Sequence, residues 1–195
     1  LDEGMQESQR AAHTIAAIIR TRSEAGQLMA REEIFHALQE LRKQDGMKPD
    51  QGEHREEWEA LLNKALMEHE DLKVLSGKDG VPYHYSGLFI SEPYARILLR
   101  KEGDPLLLIA ETVREHSAVY PRPVPLEMFS QAPFELTRDE ILMCLQQMAE
   151  HKEYRDIART RTSSGTVYLY STVHLDPGYA RRLAEWFDVG QFENP

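Results

Sequence analysis

Cysteine is almost absent. The single Cys144 cannot form an intramolecular disulfide, which fits a reducing cytosol. No apolar run approaches the roughly 20 residues that cross a bilayer, and the first residues show no signal-peptide pattern. A cytoplasmic protein with no membrane partner is expected. The chain begins with Leu1 rather than methionine, so residues upstream of it are expected too. Positive charge is scarce. Lys and Arg number 23 against 33 Asp and Glu, giving a net charge of −10 and a pI near 5.3. Both halves are acidic, which excludes a nucleic-acid module working by bulk charge. Catalytic patterns are missing as well. The eight histidines form no HExxH or similar ligand pair, one cysteine is too few for a common zinc set, and no glycine-rich phosphate loop follows a strand. Neither enzyme activity nor a metal or cofactor is expected.

What the chain does have is a stretch that occurs twice. YHYSGLFISEPYARIL, Tyr83 to Leu98, matches YLYSTVHLDPGYARRL, Tyr168 to Leu183, at Tyr83/Tyr168, Tyr85/Tyr170, Ser86/Ser171, Tyr94/Tyr179, Ala95/Ala180, Arg96/Arg181 and Leu98/Leu183. Reading backwards pairs Glu68 with Glu150, His69 with His151, Leu72 with Tyr154 and Leu75 with Ile157. Further back, Ile15, Ala16 and Arg20 align with Ile109, Ala110 and Arg114, and Glu33 and Phe35 with Glu127 and Phe129. Two copies are too few for a solenoid. They imply a duplicated small domain, with units at 1–102 and 103–195.

Within each unit the periodicity predicts three helices and a hairpin. In the first unit the helices fall near Ser8–Arg22, Arg31–Lys43 and Arg55–Glu70, with an exposed loop at Gln44–His54. Strands at Leu72–Ser76 and Val81–Ser86 flank an Asp79-Gly80 turn. Ser91 caps a linking helix that ends near Gly103. In the second unit Asp104-Pro105 opens a helix, and YPRPVP at 120–125 interrupts it. A short helix follows at Leu126–Gln131. Thr137 and Glu140 form a capping box for the third helix, with Leu136 and Ile141 as its staple. Strands at Tyr154–Arg161 and Thr166–Val173 make the second hairpin, and Asp176-Pro177 starts a C-terminal helix.

The fold class is therefore α+β, mainly α. The order helix, helix, helix, hairpin resembles the winged-helix variant of the helix-turn-helix fold, twice over. The resemblance implies two winged-helix domains, a linking helix and a C-terminal helix. It also implies a third helix in the position that enters a DNA groove and a hairpin wing that touches the backbone.

Charge then weighs on function. The outward positions of the first unit's third helix are Glu56, Glu57, Ala60, Lys64, Met67 and Glu68, a face that repels phosphate. Those of the second are Asp139, Met143, Gln146, Gln147 and Glu150, with Arg138 at the rim. Gln146 and Gln147 suit base edges. Arg155, Arg159 and Arg161 alternate along the second hairpin and so share one side of a strand. His69 and His151 read as histidines favoured by a helix C-terminus, and Cys144 reads as core.

Two readings remain. In one, the protein is a DNA-associated, transcription-type regulator that contacts DNA through Arg138, Gln146, Gln147, Arg155, Arg159 and Arg161. In the other it is an acidic protein–protein adaptor of the tandem winged-helix kind that clamps chromosome-organising complexes. Met67 and Met143 are adaptable contacts for such a role. Tyr179, Leu183, Trp186 and Phe187 make an apolar stripe on the last helix. It either folds back on its own unit or pairs with the same stripe of a second copy.

Overall fold

The computed structural model describes residues 2–46 and 55–193. The expected loop at 44–54 therefore lies, beyond Gly46, outside the described residues. The chain is α+β and mainly helical, with two small three-stranded sheets. It divides into two compact units, Leu1–Leu99 and Arg100–Pro195.

In the first unit α1 (Asp2–Glu24) is followed by β1 (Met29–Ala30), α2 (Arg31–Gln44), α3 (Arg55–Glu68), β2 (Leu72–Ser76) and β3 (Pro82–Ser86). The unit division falls inside α4 (Glu92–Gly103). Ala12, Ile15, Ala16 and Ile19 recur at i, i+3, i+4 and i+7 and are fully buried, which puts one apolar stripe of α1 on the core. Against it pack Leu62 and Ala65 of α3 and Ile34 and Leu38 of α2. Trp58 is only partly buried. Phe35 meets it edge-on at 5.6 Å, and Arg42 lies over it at 5.1 Å. The sheet order is β1-β3-β2, with β3 in the middle.

The second unit repeats that order. It has α5 (Pro105–Val119), β4 (Val124–Pro125), a 3-10 turn (Leu126–Ser130), α6 (Arg138–Ala149), β5 (Ile157–Arg161), β6 (Val167–Ser171) and α7 (Pro177–Glu185), and its sheet order is β4-β6-β5. The Thr137 capping box forms on both sides. Glu140 N–H donates to Thr137 Oγ1 at 3.2 Å, and Thr137 N–H donates to Glu140 Oε2 at 2.7 Å. The core holds Leu108, Ile109, Val113, Phe129, Ile141 and Leu169. The two-residue strands β1 and β4 carry no periodic signal, and the sequence did not predict them.

Strand pairing corrects the repeat in three places. Leu72 pairs with Ser86 and Ile157 with Ser171, so Leu72 corresponds to Ile157, not Tyr154. Three extra residues, Lys152–Tyr154, form a 3-10 turn ahead of β5, and this also shortens the strand expected from Tyr154. Met29 pairs with His84 and Val124 with Leu169. Phe129 thus takes the buried place of Ile34, one residue away from Phe35. The two histidines part company as well. His69 Nδ1 lies 3.3 Å from Arg20 Nη2, whereas His151 sits edge-on to Tyr154 at 6.3 Å.

The repeated tyrosines and serines have a physical cause. Tyr85 and Tyr170 are buried, each beside a fully buried alanine, Ala95 or Ala180. Ser86 and Ser171 each complete a polar clamp. Arg20 of α1 donates twice to Asp71, at 3.0 and 2.7 Å, and Ser86 Oγ donates to Asp71 Oδ2 at 2.6 Å. Ser23 Oγ accepts from the buried Ser86 N–H at 2.8 Å. In the second unit Arg114 binds Asp156 at 2.9 and 2.7 Å, Ser171 Oγ donates to Asp156 at 2.7 Å, and Ser117 Oγ accepts Ser171 N–H at 3.0 Å. Each clamp joins the first helix to both strands of its hairpin through charge-assisted bonds.

The Arg20 guanidinium, against the cost of burial and with help from the Ser86 hydroxyl, holds the Asp71 carboxyl down at about 2. An unfolded aspartate titrates near 3.9, so near pH 3 the unfolded chain binds the extra proton. The clamp's contribution is therefore whole above about pH 5 and lost as pH falls toward about 2. Asp71→Asn is expected to cost about 2 kcal/mol at neutral pH, and the gap to wild type should narrow to about half by pH 3 and close only toward about pH 2 and below. Denaturant titrations followed by Trp58 fluorescence, in a Trp186→Phe background, measure both. Burial, with Arg31 adding to it and the bond from Nδ1 to the Met29 carbonyl opposing it, lowers the His84 imidazole from its ordinary value. First-unit stability should therefore also decline below about pH 6.5. His84→Leu, which installs the residue the second unit has at Leu169, is expected to remove that decline in the same titrations.

Candidate functional site

The third helix and the hairpin of each unit carry the residues expected at a binding surface. In both units the first-turn arginine of the third helix is held by a glutamate of the preceding helical segment. Arg55 reaches Glu32 at 2.7 Å, and Arg138 reaches Glu127 at 3.1 Å. Exposed pairs of this kind add little stability, yet they place a carboxylate beside the cation that a phosphate would otherwise meet. Glu56 and Glu57 on α3, and Asp139 and Glu140 on α6, are exposed next to them. Gln146 and Gln147 are exposed further along α6, as expected. Met143 is 59% exposed and has Leu142 beside it, also exposed, so the outward centre of this helix is apolar and amide in character. Leu142 was missed by sequence reasoning, which assigned the outward apolar position to Met143 alone. On α3 the one exposed large apolar residue is Met67, at 85%.

The second hairpin does not carry its three arginines as one row. Arg155 ends the 3-10 turn that precedes β5. Only Arg159 and Arg161 lie in the strand, opposite Leu169 and Val167. Among the described residues neither has an ion-pair partner. Arg159 stands beside a shallow hollow floored by Leu145, Met148, Tyr154 and Leu169, between the end of α6 and the strand. In the first unit the positions of Arg159 and Arg161 hold Val74 and Ser76.

The tip of the second hairpin is tied down by groups that sequence reasoning did not single out. Ser163 N–H donates to Glu185 Oε2 at 2.9 Å, and the Ser163 hydroxyl donates to the same carboxylate. The hydroxyls of Thr162 and Ser164 donate to Asp188. Bonds from Ser164 and Thr162 hold the Asp188 carboxyl below the usual carboxylate range. The turn itself needs Gly165, whose φ of 88° is the left-handed value.

The expected C-terminal stripe splits in two. The α-helix ends at Glu185 and widens into a π turn, Trp186–Gly190. Ala180 and Ala184 are the residues that α7 buries. Leu183 and Phe187 are half-buried, with Arg122 over the Phe187 ring at 5.2 Å. Tyr179 and Trp186 point outward, 43% and 48% exposed. Tyr179 and Trp186 lie seven residues apart on one face, and the widened turn alters the 3.6-residue period only beyond Glu185.

Cys144 is buried on α6, and burial, with Glu140 nearby, pushes its thiol up. That makes it a poor nucleophile. Among the described residues no group of three or more His, Cys, Asp or Glu side chains could hold a metal ion, and no helix is long and apolar enough to cross a membrane.

These features define a two-unit α+β protein whose candidate binding residues lie on its third helices and hairpins. The family of the YdhW C-terminal domain matches residues 101–192, which is the second unit almost entire. Protein YdhW of Escherichia coli (strain K12) is 35% identical over 188 residues, covering 94% of this chain and 81% of that protein. The chain belongs to the YdhW family.

The carboxylate ties at the hairpin tip have a measurable consequence. Glu185→Gln with Asp188→Asn should speed hydrogen exchange at the Ser163 amide and leave the Ser171 amide, held by Ser117, protected. In wild type the tip should also loosen in acid, as protonation of Asp188, held below the usual carboxylate range by its hydroxyl donors, weakens its bonds to Thr162 and Ser164.

Proposed function

We propose that the protein is a non-enzymatic binding protein built on two winged-helix units, and that the second unit receives a protein partner on the outward face of α6 and the adjoining β5. Two observations support the winged-helix reading. Each unit has the element order helix, short strand, helical segment, helix, hairpin, and each sheet puts the last strand in the centre.

One observation carries the choice of partner. Where a DNA-reading helix would present cations, α6 presents Leu142, Met143, Gln146 and Gln147, and its Arg138 is already paired with Glu127. Phosphates approaching that helix would meet Asp139, Glu140 and Glu150. Apolar and amide groups ringed by charge suit a protein surface, and methionine adapts to a partner's shape.

DNA contact through the second wing is the other reading. It is favoured by Arg159 and Arg161, which lack acidic partners among the described residues. Affinity capture with the wild type and with Leu142→Glu/Met143→Glu separates the two. A protein that co-purifies with the wild type and is lost in the variant is the expected result. Salt-dependent binding to duplex DNA, abolished by Arg159→Ala/Arg161→Ala and indifferent to the α6 changes, would instead establish the wing as a DNA contact.

A further inference from the structure

The hairpin bonds show which backbone groups of β5 are spoken for. Thr172 N–H donates to Asp156 O at 2.8 Å, and Thr162 N–H donates to Thr166 O at 2.9 Å. With the register Ala158↔Tyr170 and Thr160↔Tyr168, the even-numbered residues of this strand face β6. The N–H and C=O groups of Ile157, Arg159 and Arg161 then face the other way. The sheet order β4-β6-β5 leaves that side open. Among the described residues nothing bonds to those groups.

We propose that β5 takes an extended, acidic segment of a partner protein as an added strand. Strand addition satisfies exposed edge groups and takes its specificity from alternate side chains. Here the alternate side chains are Ile157, Arg159 and Arg161, so carboxylates opposite the two arginines and an apolar residue over the Leu145–Met148–Leu169 hollow complete the match. This deepens, and rests on, the reading of the second unit as a protein-binding surface.

The first unit supplies an internal control. The same bond pattern, Gly87 N–H to Asp71 O and Gly77 N–H to Val81 O, turns Leu72, Val74 and Ser76 toward the open side of β2. That edge is open in the same way, with Val74 and Ser76 exposed, and has no cation at those positions. Protection of an edge against aggregation would be needed equally in both units, so the fold alone does not call for Arg159 and Arg161. A second copy of the chain is a poor occupant, because two β5 edges would set like charges opposite each other. Duplex DNA would meet the carboxylates of Asp139 and Glu140 on α6.

The test uses the full chain, labelled for amide NMR, and a synthetic peptide of pattern Glu-Thr-Glu-Thr-Leu. Addition should shift the amide resonances of Ile157, Arg159 and Arg161 and protect them from exchange. Arg159→Glu/Arg161→Glu should weaken binding by roughly tenfold or more, and a peptide with lysine for glutamate should recover it. The same peptide methylated on alternate backbone nitrogens should not bind. Equal binding of the methylated peptide, shifts confined to other elements, or shifts of β5 by duplex DNA and by no peptide each overturn the proposal. If capture dependent on Leu142 and Met143 persists while the peptide leaves β5 unmoved, strand addition falls and the broader binding role stands.

Discussion

The bidentate pair between Arg20 and Asp71, repeated as Arg114 and Asp156, sets the geometry from which the rest of each unit follows. Each aspartate stands just before the first hairpin strand and each serine partner at the end of the second. The arginine and the second serine lie one turn apart on the opening helix. Four side chains thus fix the open end of a hairpin against the helix that carries the core stripe. The hairpin's angle to that helix is set by charge-assisted bonds that neither apolar packing nor strand pairing could supply alone. Because the open end is fixed, the tip and the outer edge are left to vary, and it is there that the two units differ.

That division explains which parts were legible in the sequence. The stripe of Ala12, Ile15, Ala16 and Ile19, the Thr137–Glu140 box and the turn at Gly80 are local patterns, and local patterns survive folding. The repeat was visible through its tyrosines, yet its register slipped by three residues between Leu72 and Ile157. The inserted turn Lys152–Tyr154 leaves an apolar tyrosine where a strand residue was expected. His69 and His151 matched by letter and not by place. The clamp itself could have been found. Arg20-x-x-Ser23 recurs as Arg114-x-x-Ser117, and Asp71 and Asp156 stand equally far before Ser86 and Ser171. It was overlooked because polar repeats carry no helical or strand period.

The candidate surface was legible in its residue types and less so in its arrangement. Gln146, Gln147 and Met143 are exposed as the helical wheel requires. Arg155 left the row because the strand starts later than alternation suggested. Tyr179 and Trp186, seven residues apart, share a solvent face of the helix, and Ala180 and Ala184 take the buried one. The carboxylates of Glu185 and Asp188 reach the hairpin tip across more than twenty residues, a pairing no periodicity announces. Together they add, to a wing that keeps Arg159 and Arg161, a tip held by carboxylates and an open edge.

The clamp also sets when each unit can close. Ser86 N–H meets Ser23 across 63 residues, and Ser171 N–H meets Ser117 across 54. The bond that completes each unit thus joins nearly its first element to its last strand. On a ribosome that releases the chain from the N-terminus, α1 emerges early and must wait with its apolar stripe exposed until the hairpin has left the exit tunnel. The half-buried arginine of each unit spends that interval in water, unpaired. Closure is then a late, non-local event whose entropic cost falls on a single loop. The first unit can meet that cost before Asp156 and Ser171, which complete the second clamp, have been synthesised.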